Sequence, residues 1–142
     1  MRIIIIFLLF TSNILAQEII GIPRIIDGDT LQINSYKIRL EGIDAPEIKQ
    51  KCKKEKLKIS SIIGYTFYEN YNCGKISKKN LINKIKEYKI KCISYSKDRY
   101  KRYLATCFKD RINLNQWMVR NGHAVAYRRY SKEYIPDEDF AK

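Results

Sequence analysis

The chain has a single histidine, and none of its four cysteines is spaced as a C-x-x-C pair. A structural zinc centre draws its ligands from sulfur and imidazole nitrogen, so that class of site is set aside. Long apolar runs are also lacking. The only one, residues 3–10, is far shorter than the ~20 residues a bilayer-spanning helix needs. Acids are scarce: Asp and Glu total 15 against 28 Lys and Arg, for a net charge of +13. The excess of cations is spread along the chain rather than gathered in a tail, which suits a polyanionic partner such as nucleic acid but names no chemistry. Internal repeats and low-complexity stretches are absent as well. With 142 residues, the chain is long enough for one modest core and too short for two comfortable domains.

What is present begins with a processing signal. Arg2 supplies the positive start, the apolar run follows, and Ile14-Leu15-Ala16 precede Gln17. This pattern predicts a signal peptide over residues 1–16, with a mature domain over 17–142 that is secreted or periplasmic and carries no stable membrane anchor. An oxidising compartment lets Cys52, Cys73, Cys92 and Cys107 pair. Three connectivities are open. The β-like segments 89–95 and 103–108 flank one polar loop and predict a hairpin, in which Cys92 and Cys107 could face each other. Cys52 and Cys73 would then close a loop of ~20 residues, a constraint on the order of 3 kcal/mol in the chain-entropy model.

Along the mature chain, residues 18–26 are β-branched and apolar. Asp27-Gly28-Asp29 then makes a turn before the strand Thr30-Leu31-Gln32-Ile33, predicting a hairpin. After Asn34-Ser35, Tyr36, Ile38 and Leu40 alternate with Lys37, Arg39 and Glu41, which puts Arg39 on the face opposite the core. Pro46 biases Ala45 toward an extended conformation, so Asp44 and Glu47 leave this strand at a fixed corner. Residues 48–74 show no clean periodicity and are assigned as mixed loop and helix. A helix is expected from Ser77 as cap, with Leu81, Ile82 and Ile85 on its apolar side. A second runs from Asn113 as cap to Gly122 as stop and carries Trp117, read as a core residue rather than a base-stacking platform. Short strands with interposed helices predict an α+β, mainly β, five-stranded OB-type barrel with two to three packed helices.

Singly, each polar motif is weak, since an Asp-Gly-Asp turn is common and acidic corners are often only solvated. Together, Asp29, Arg39, Asp44, Glu47 and Arg102 form an ordered series of hard oxygen ligands, guanidiniums and one candidate base. The stretches Ile26-Asp27-Gly28-Asp29-Thr30, Ile38-Arg39-Leu40-Glu41-Gly42-Ile43-Asp44-Ala45-Pro46-Glu47 and Lys97-Asp98-Arg99-Tyr100-Lys101-Arg102 closely resemble the staphylococcal nuclease family. The Met118-to-Tyr127 run resembles the family's late helix and the tyrosine segment after it.

The resemblance implies a nuclease. It assigns the Asp29 and Asp44 carboxylates and the Ala45 carbonyl to Ca2+, Arg39 and Arg102 to the scissile phosphate, and Glu47 as general base. Arg99 and Tyr100 would contact a neighbouring phosphate, and Tyr127 would line the nucleotide pocket. It also implies 3'-phosphate products from both DNA and RNA, and stacking on exposed rings fits single-stranded or frayed substrates cut by a monomer. A non-catalytic nucleic-acid-binding module on the same fold is the alternative, and a cationic surface-active protein a third reading. His123 invites a catalytic role but falls where the family's best-known member is aliphatic, and is read as packing.

Two departures stand out. Lys101 replaces the family's glycine between the tyrosine and the arginine; a φ above zero there costs a lysine on the order of 1 kcal/mol and could displace Arg102. Beyond Tyr130 only a first turn of the family's final helix, Pro136-Asp137-Glu138-Asp139, is expected before Lys142, too short to be stable alone.

Overall fold

Alternation carries into the structure. In the computed structural model, which describes residues 15–59 and 65–142, β1 (Gln17–Gly21), β2 (Arg24–Ile25), β3 (Thr30–Ile33) and β4 (Tyr36–Leu40) are followed by a short β5 (Ile43–Asp44). A hairpin of β6 (Cys52–Ile59) and β7 (Tyr65–Tyr71) leads into α1 (Cys73–Ile85). Then come β8 (Ile90–Lys97), β9 (Tyr103–Lys109), β10 (Ile112–Asn113), α2 (Leu114–Arg120), β11 (Val125–Ala126) and α3 (Ile135–Ala141). The cationic start and apolar run of the expected leader lie outside the described residues, whose helices include none long and apolar enough to cross a membrane.

The main sheet runs β1-β8-β9-β4-β3-β2, with β10 added to β9. Its pairs are antiparallel except β4 with β9, which run parallel with Ile38 opposite Tyr103. The sheet curls: β1, at one end of the path, also touches β3 near the other, and Gly21 packs directly onto Ile33. Five strands longer than two residues, β1, β3, β4, β8 and β9, make the half-closed barrel that the sequence leads one to expect.

The core fills the concave side. Leu31, Ile33, Ile38, Leu40, Ile43, Ala105 and Cys107 from the strands meet Leu81 and Ile85 of α1 and Leu114, Met118 and Val119 of α2, all fully buried. Each large aliphatic side chain buried there contributes about 1.5–3 kcal/mol relative to exposure. Cys92 and Cys107 are direct cross-strand partners and are bridged within this core. Trp117 packs against its edge.

The fully buried Asn115 ties α2 to the barrel. Its Oδ1 accepts the Cys107 N–H at 3.1 Å, and its Nδ2 donates to the Glu41 and Ala105 carbonyls at 2.9 and 3.0 Å. Asn113 caps α2 as expected, its side chain accepting the Gln116 N–H.

Three local expectations are corrected. Residues 48–74 are not loop and helix but chiefly the β6–β7 hairpin, closed at its base by a Cys52–Cys73 bridge. Ser77 is not a cap: α1 begins at Cys73, and Ser77 is a buried interior residue whose hydroxyl donates to the His123 carbonyl at 2.7 Å. The C-terminal turn is a seven-residue helix held by side chains rather than by its own length. The Asp137 carboxylate accepts from Gln116 Nε2 at 3.2 Å, and Glu138 accepts the Ala126 N–H at 3.0 Å while pairing with Arg128.

Candidate active site

The site grows from the β3–β4 ladder, where Thr30 stands opposite Arg39. Period two sends Ile38 and Leu40 inward, so Arg39 projects from the other face. The turn before β3 is fixed by the Ile26 and Asp27 N–H groups donating to the Thr30 carbonyl, and by the Asp29 N–H donating to Asp27 Oδ1. Gly28 lies within it, so close to Ser77 and Ala45 that a Cβ has no room.

Asp29 is thereby buried, with 4% of its surface exposed. Its Oδ2 accepts Arg39 Nη1 at 2.7 Å and the Ala45 N–H at 3.2 Å, and its Oδ1 accepts the Thr30 hydroxyl at 2.9 Å. Arg39 Nη2 reaches Asp44 Oδ1 at 2.8 Å. The guanidinium is therefore held between two carboxylates. Burial pushes the Asp29 carboxyl up to about 6 against the opposing pull of Arg39. For Arg39, burial works against the charge, but the two aspartates outweigh it and hold the pKa above its ordinary value.

Arg102 comes from the turn between β8 and β9, the latter being the strand that pairs with β4. Lys101 occupies that turn at φ 63°, the left-handed conformation expected of the position. Asp98 Oδ1 accepts the Tyr100 and Arg102 N–H groups at 2.8 and 3.0 Å, while its Oδ2 accepts Arg102 Nε at 2.7 Å. Arg102 Nη1 then donates to Thr30 Oγ1 at 3.4 Å, completing a line Asp44–Arg39–Asp29–Thr30–Arg102.

Aromatic rings flank both arginines. The Arg39 guanidinium lies 6.0 Å from the Tyr127 ring centre, and Tyr127 in turn packs on Tyr130. Tyr100, well exposed, is approached by Arg99 at 4.8 Å and Arg102 at 5.4 Å.

Glu47 stands apart on the exposed loop after the Asp44-Ala45-Pro46 corner. Its N–H donates to Gln50 Oε1 at 3.2 Å and its carbonyl accepts the Gln50 N–H at 2.8 Å. The carboxylate makes no hydrogen bond or ion pair with any described residue.

Asp29 and Asp44 converge on a single positive charge, and two such carboxylates beside the Ala45 backbone are hard oxygen donors of the kind that suit calcium. Among the described residues no group of three or more His, Cys, Asp or Glu side chains could hold a metal, so a bound ion would complete its shell with the Ala45 carbonyl, water and phosphate oxygens.

Thr30, Asp98 and Gln50 were not legible as site residues in the sequence. The Asp98-x-x-x-Arg102 spacing was the one signal for any of them. His123 is partly buried beside Trp117 at 5.3 Å and Asn80 Nδ2 at 3.4 Å, remote in its contacts from both arginines, and burial lowers its pKa.

Residues 37–142 match the family model described as staphylococcal nuclease homologue. The succinoglycan biosynthesis protein ExoI of Rhizobium meliloti is 34% identical over 112 residues, 78% of this chain and 53% of its own length. An uncharacterized endonuclease of Haemophilus influenzae is 33% identical over 119 residues, 80% and 55% of the two chains. A probable staphylococcal-like nuclease of Oryza sativa, CAN2, is 27% identical over 104 residues, 73% of this chain and 23% of its own. The chain thus spans about half the length of the first two relatives.

Proposed function

Because this chain belongs to the staphylococcal nuclease family, we propose that it is a calcium-dependent nuclease that hydrolyses phosphodiester bonds of DNA and RNA. The observation that carries the reading is the Arg39–Asp29–Thr30–Arg102 line, which links two guanidiniums from distant parts of the chain through one threonine. Planar, permanently charged guanidiniums can each pair with two phosphate oxygens and stabilise the charge that develops there. The names of two relatives, an endonuclease and a probable nuclease, point the same way.

In the proposed reaction Glu47 accepts one proton from a water whose oxygen attacks phosphorus in line. The bond from phosphorus to the 5'-oxygen breaks, and that oxygen leaves as a hydroxyl with a proton from solvent. The products are a 3'-phosphate and a 5'-hydroxyl. Arg39 and Arg102 hold the non-bridging oxygens throughout, with Asp29, Asp44 and Asp98 fixing their direction. The Asp29 and Asp44 carboxylates and the Ala45 carbonyl are the groups that would hold a calcium ion, which when bound would add positive charge near the phosphate. Arg99 and Tyr100 bind an adjoining phosphate, and Tyr127 offers a ring face to a nucleotide, which favours single-stranded or frayed substrates.

Two disulfides and the leader-like N-terminus support action in an oxidising compartment, as a secreted or periplasmic protein.

The test incubates oxidised protein with denatured DNA, with calcium or with chelator, beside Glu47→Gln. Calcium-dependent cleavage that collapses at least ~100-fold in Glu47→Gln is the expected result. Binding without cleavage in the parent protein would instead establish a non-catalytic nucleic-acid-binding module.

A further inference from the structure

The proposed base is carried on an exposed loop, and a base on a mobile support transfers protons poorly. The loop is nevertheless tied down, by groups outside the line of site residues. Gln50 is its centre: its Oε1 accepts the Glu47 N–H, its own N–H donates to the Glu47 carbonyl, and its carbonyl faces the start of α1. There it accepts the Gly74 N–H at 3.5 Å and touches Cys73 Sγ at 3.4 Å. The bridged sulfur carries no proton, so the latter is packing rather than a hydrogen bond.

Gly74 itself presses against Glu47: a Cβ built on it would fall onto the Glu47 carbonyl oxygen. Cys73 and Gly74 are both buried although the loop they meet is not. Finally, the Cys52–Cys73 bridge joins the two ends of this assembly, two residues beyond Gln50 and one before Gly74.

We propose that Gln50 and the Cys52–Cys73 bridge are positioning residues for Glu47, locking the base-bearing loop onto the first turn of α1. This rests on the reading of Glu47 as general base. α1 is the right anchor, because Ser77, one turn on, packs against Gly28 in the Asp29 turn and hydrogen-bonds the His123 carbonyl. One helix end therefore registers the base against the carboxylates. The second bridge, Cys92–Cys107, lies in the barrel core and contacts none of these groups; its removal should affect stability alone.

The experiment compares the oxidised parent, the Cys52→Ser/Cys73→Ser double variant, Gln50→Ala and Glu47→Gln on single-stranded DNA with calcium. Circular dichroism checks folding, and hydrogen exchange reads the backbone amides of residues 47–50. The expected result is a kcat lower by ~10–100-fold in both positioning variants, since a misplacement of about 1 Å carries that penalty. KM should stay within about twofold, because both arginines are untouched. The amides of residues 47–50 should exchange at least ~10-fold faster than in the parent.

Folded variants with parental kcat and parental exchange overturn the proposal while the nuclease reading stands. If the double variant fails to fold, Gln50→Ala, which keeps the bridge and changes an exposed residue, decides alone. Undiminished cleavage by Glu47→Gln overturns the base assignment and the positioning role with it.

Discussion

Asp98 holds Arg102 twice, accepting its Nε at 2.7 Å through one carboxylate oxygen and its backbone N–H at 3.0 Å through the other. Partial burial raises the Asp98 pKa, but these bonds and that from the Tyr100 N–H outweigh it and hold the carboxyl below its ordinary value. A depressed acid contributes stability that is present above its unfolded pKa of about 4 and lost as pH falls through the lowered folded value. Asp98→Asn cannot accept all three bonds, because one carboxylate oxygen becomes an NH2 donor facing another donor. We expect kcat/KM to fall by about 10-fold at neutral pH, with a shallower loss of Tm below pH 4 than in the parent. Steady-state kinetics and thermal melts across pH 2–7 check both.

Asn115 is the largest polar investment in the core. Asn115→Leu leaves the Cys107 N–H and the Glu41 carbonyl without the partner they now have. Ala105 is less affected, since its carbonyl also accepts the Glu41 N–H. At roughly 1–3 kcal/mol for each of these two buried groups, the expected destabilisation is about 2–6 kcal/mol. Urea unfolding monitored at Trp117 measures it; a midpoint unchanged from the parent would mean that the core repairs itself around the leucine.

His123 sets a second pH window. Burial lowers its folded pKa, so just below the ordinary value of about 6.5 the unfolded chain binds more protons than the folded one. Stability from this group is complete above about pH 6.5 and declines as pH falls through the lowered folded value. His123→Gln should flatten the dependence of Tm on pH just below about 6.5 and leave kcat near the parental value, because His123 touches neither arginine. A collapse of kcat in this variant would return the histidine to the chemistry.

Calcium should stabilise the folded protein as well as support turnover. At a concentration of 100 times its Kd, a ligand specific for the folded state adds about 2.7 kcal/mol, visible as a Tm increase that chelator reverses. Asp44→Asn should cut that increase sharply while preserving the fold, since the Asp44 side chain is half exposed. An equal shift from calcium in the variant would place the ion elsewhere.

Local signals explain what the sequence revealed. The alternation of Tyr36, Ile38 and Leu40 is a property of one strand, and it correctly sent Arg39 to the outer face. The facing of Cys92 and Cys107 followed from two apolar segments around one loop. The β6–β7 hairpin did not announce itself, because its first strand reads Cys-Lys-Lys-Glu-Lys-Leu-Lys-Ile, with too few apolar residues at period two. Its pairing and the bridge at its base are non-local facts.

The same is true of Thr30. It resembles any strand threonine until Arg102, 72 residues later, is brought to its hydroxyl. The α3 helix, expected to be too short, draws its support from Gln116, Arg128 and the Ala126 N–H, none of which lies in its own segment.

The parallel pairing of β4 with β9 also orders events in time. Ile38 cannot meet Tyr103 until a chain of roughly 65 residues has been closed into a loop, an entropic charge on the order of 4 kcal/mol that hairpins of neighbouring strands do not carry. Arg39 and Arg102 lie on the two sides of that closure. A chain still growing, or one whose C-terminal half has yet to dock, holds one arginine and not the other. The two guanidiniums come together only as the barrel completes, so the phosphate grip proposed for them would belong to the finished fold and to no earlier stage of its making.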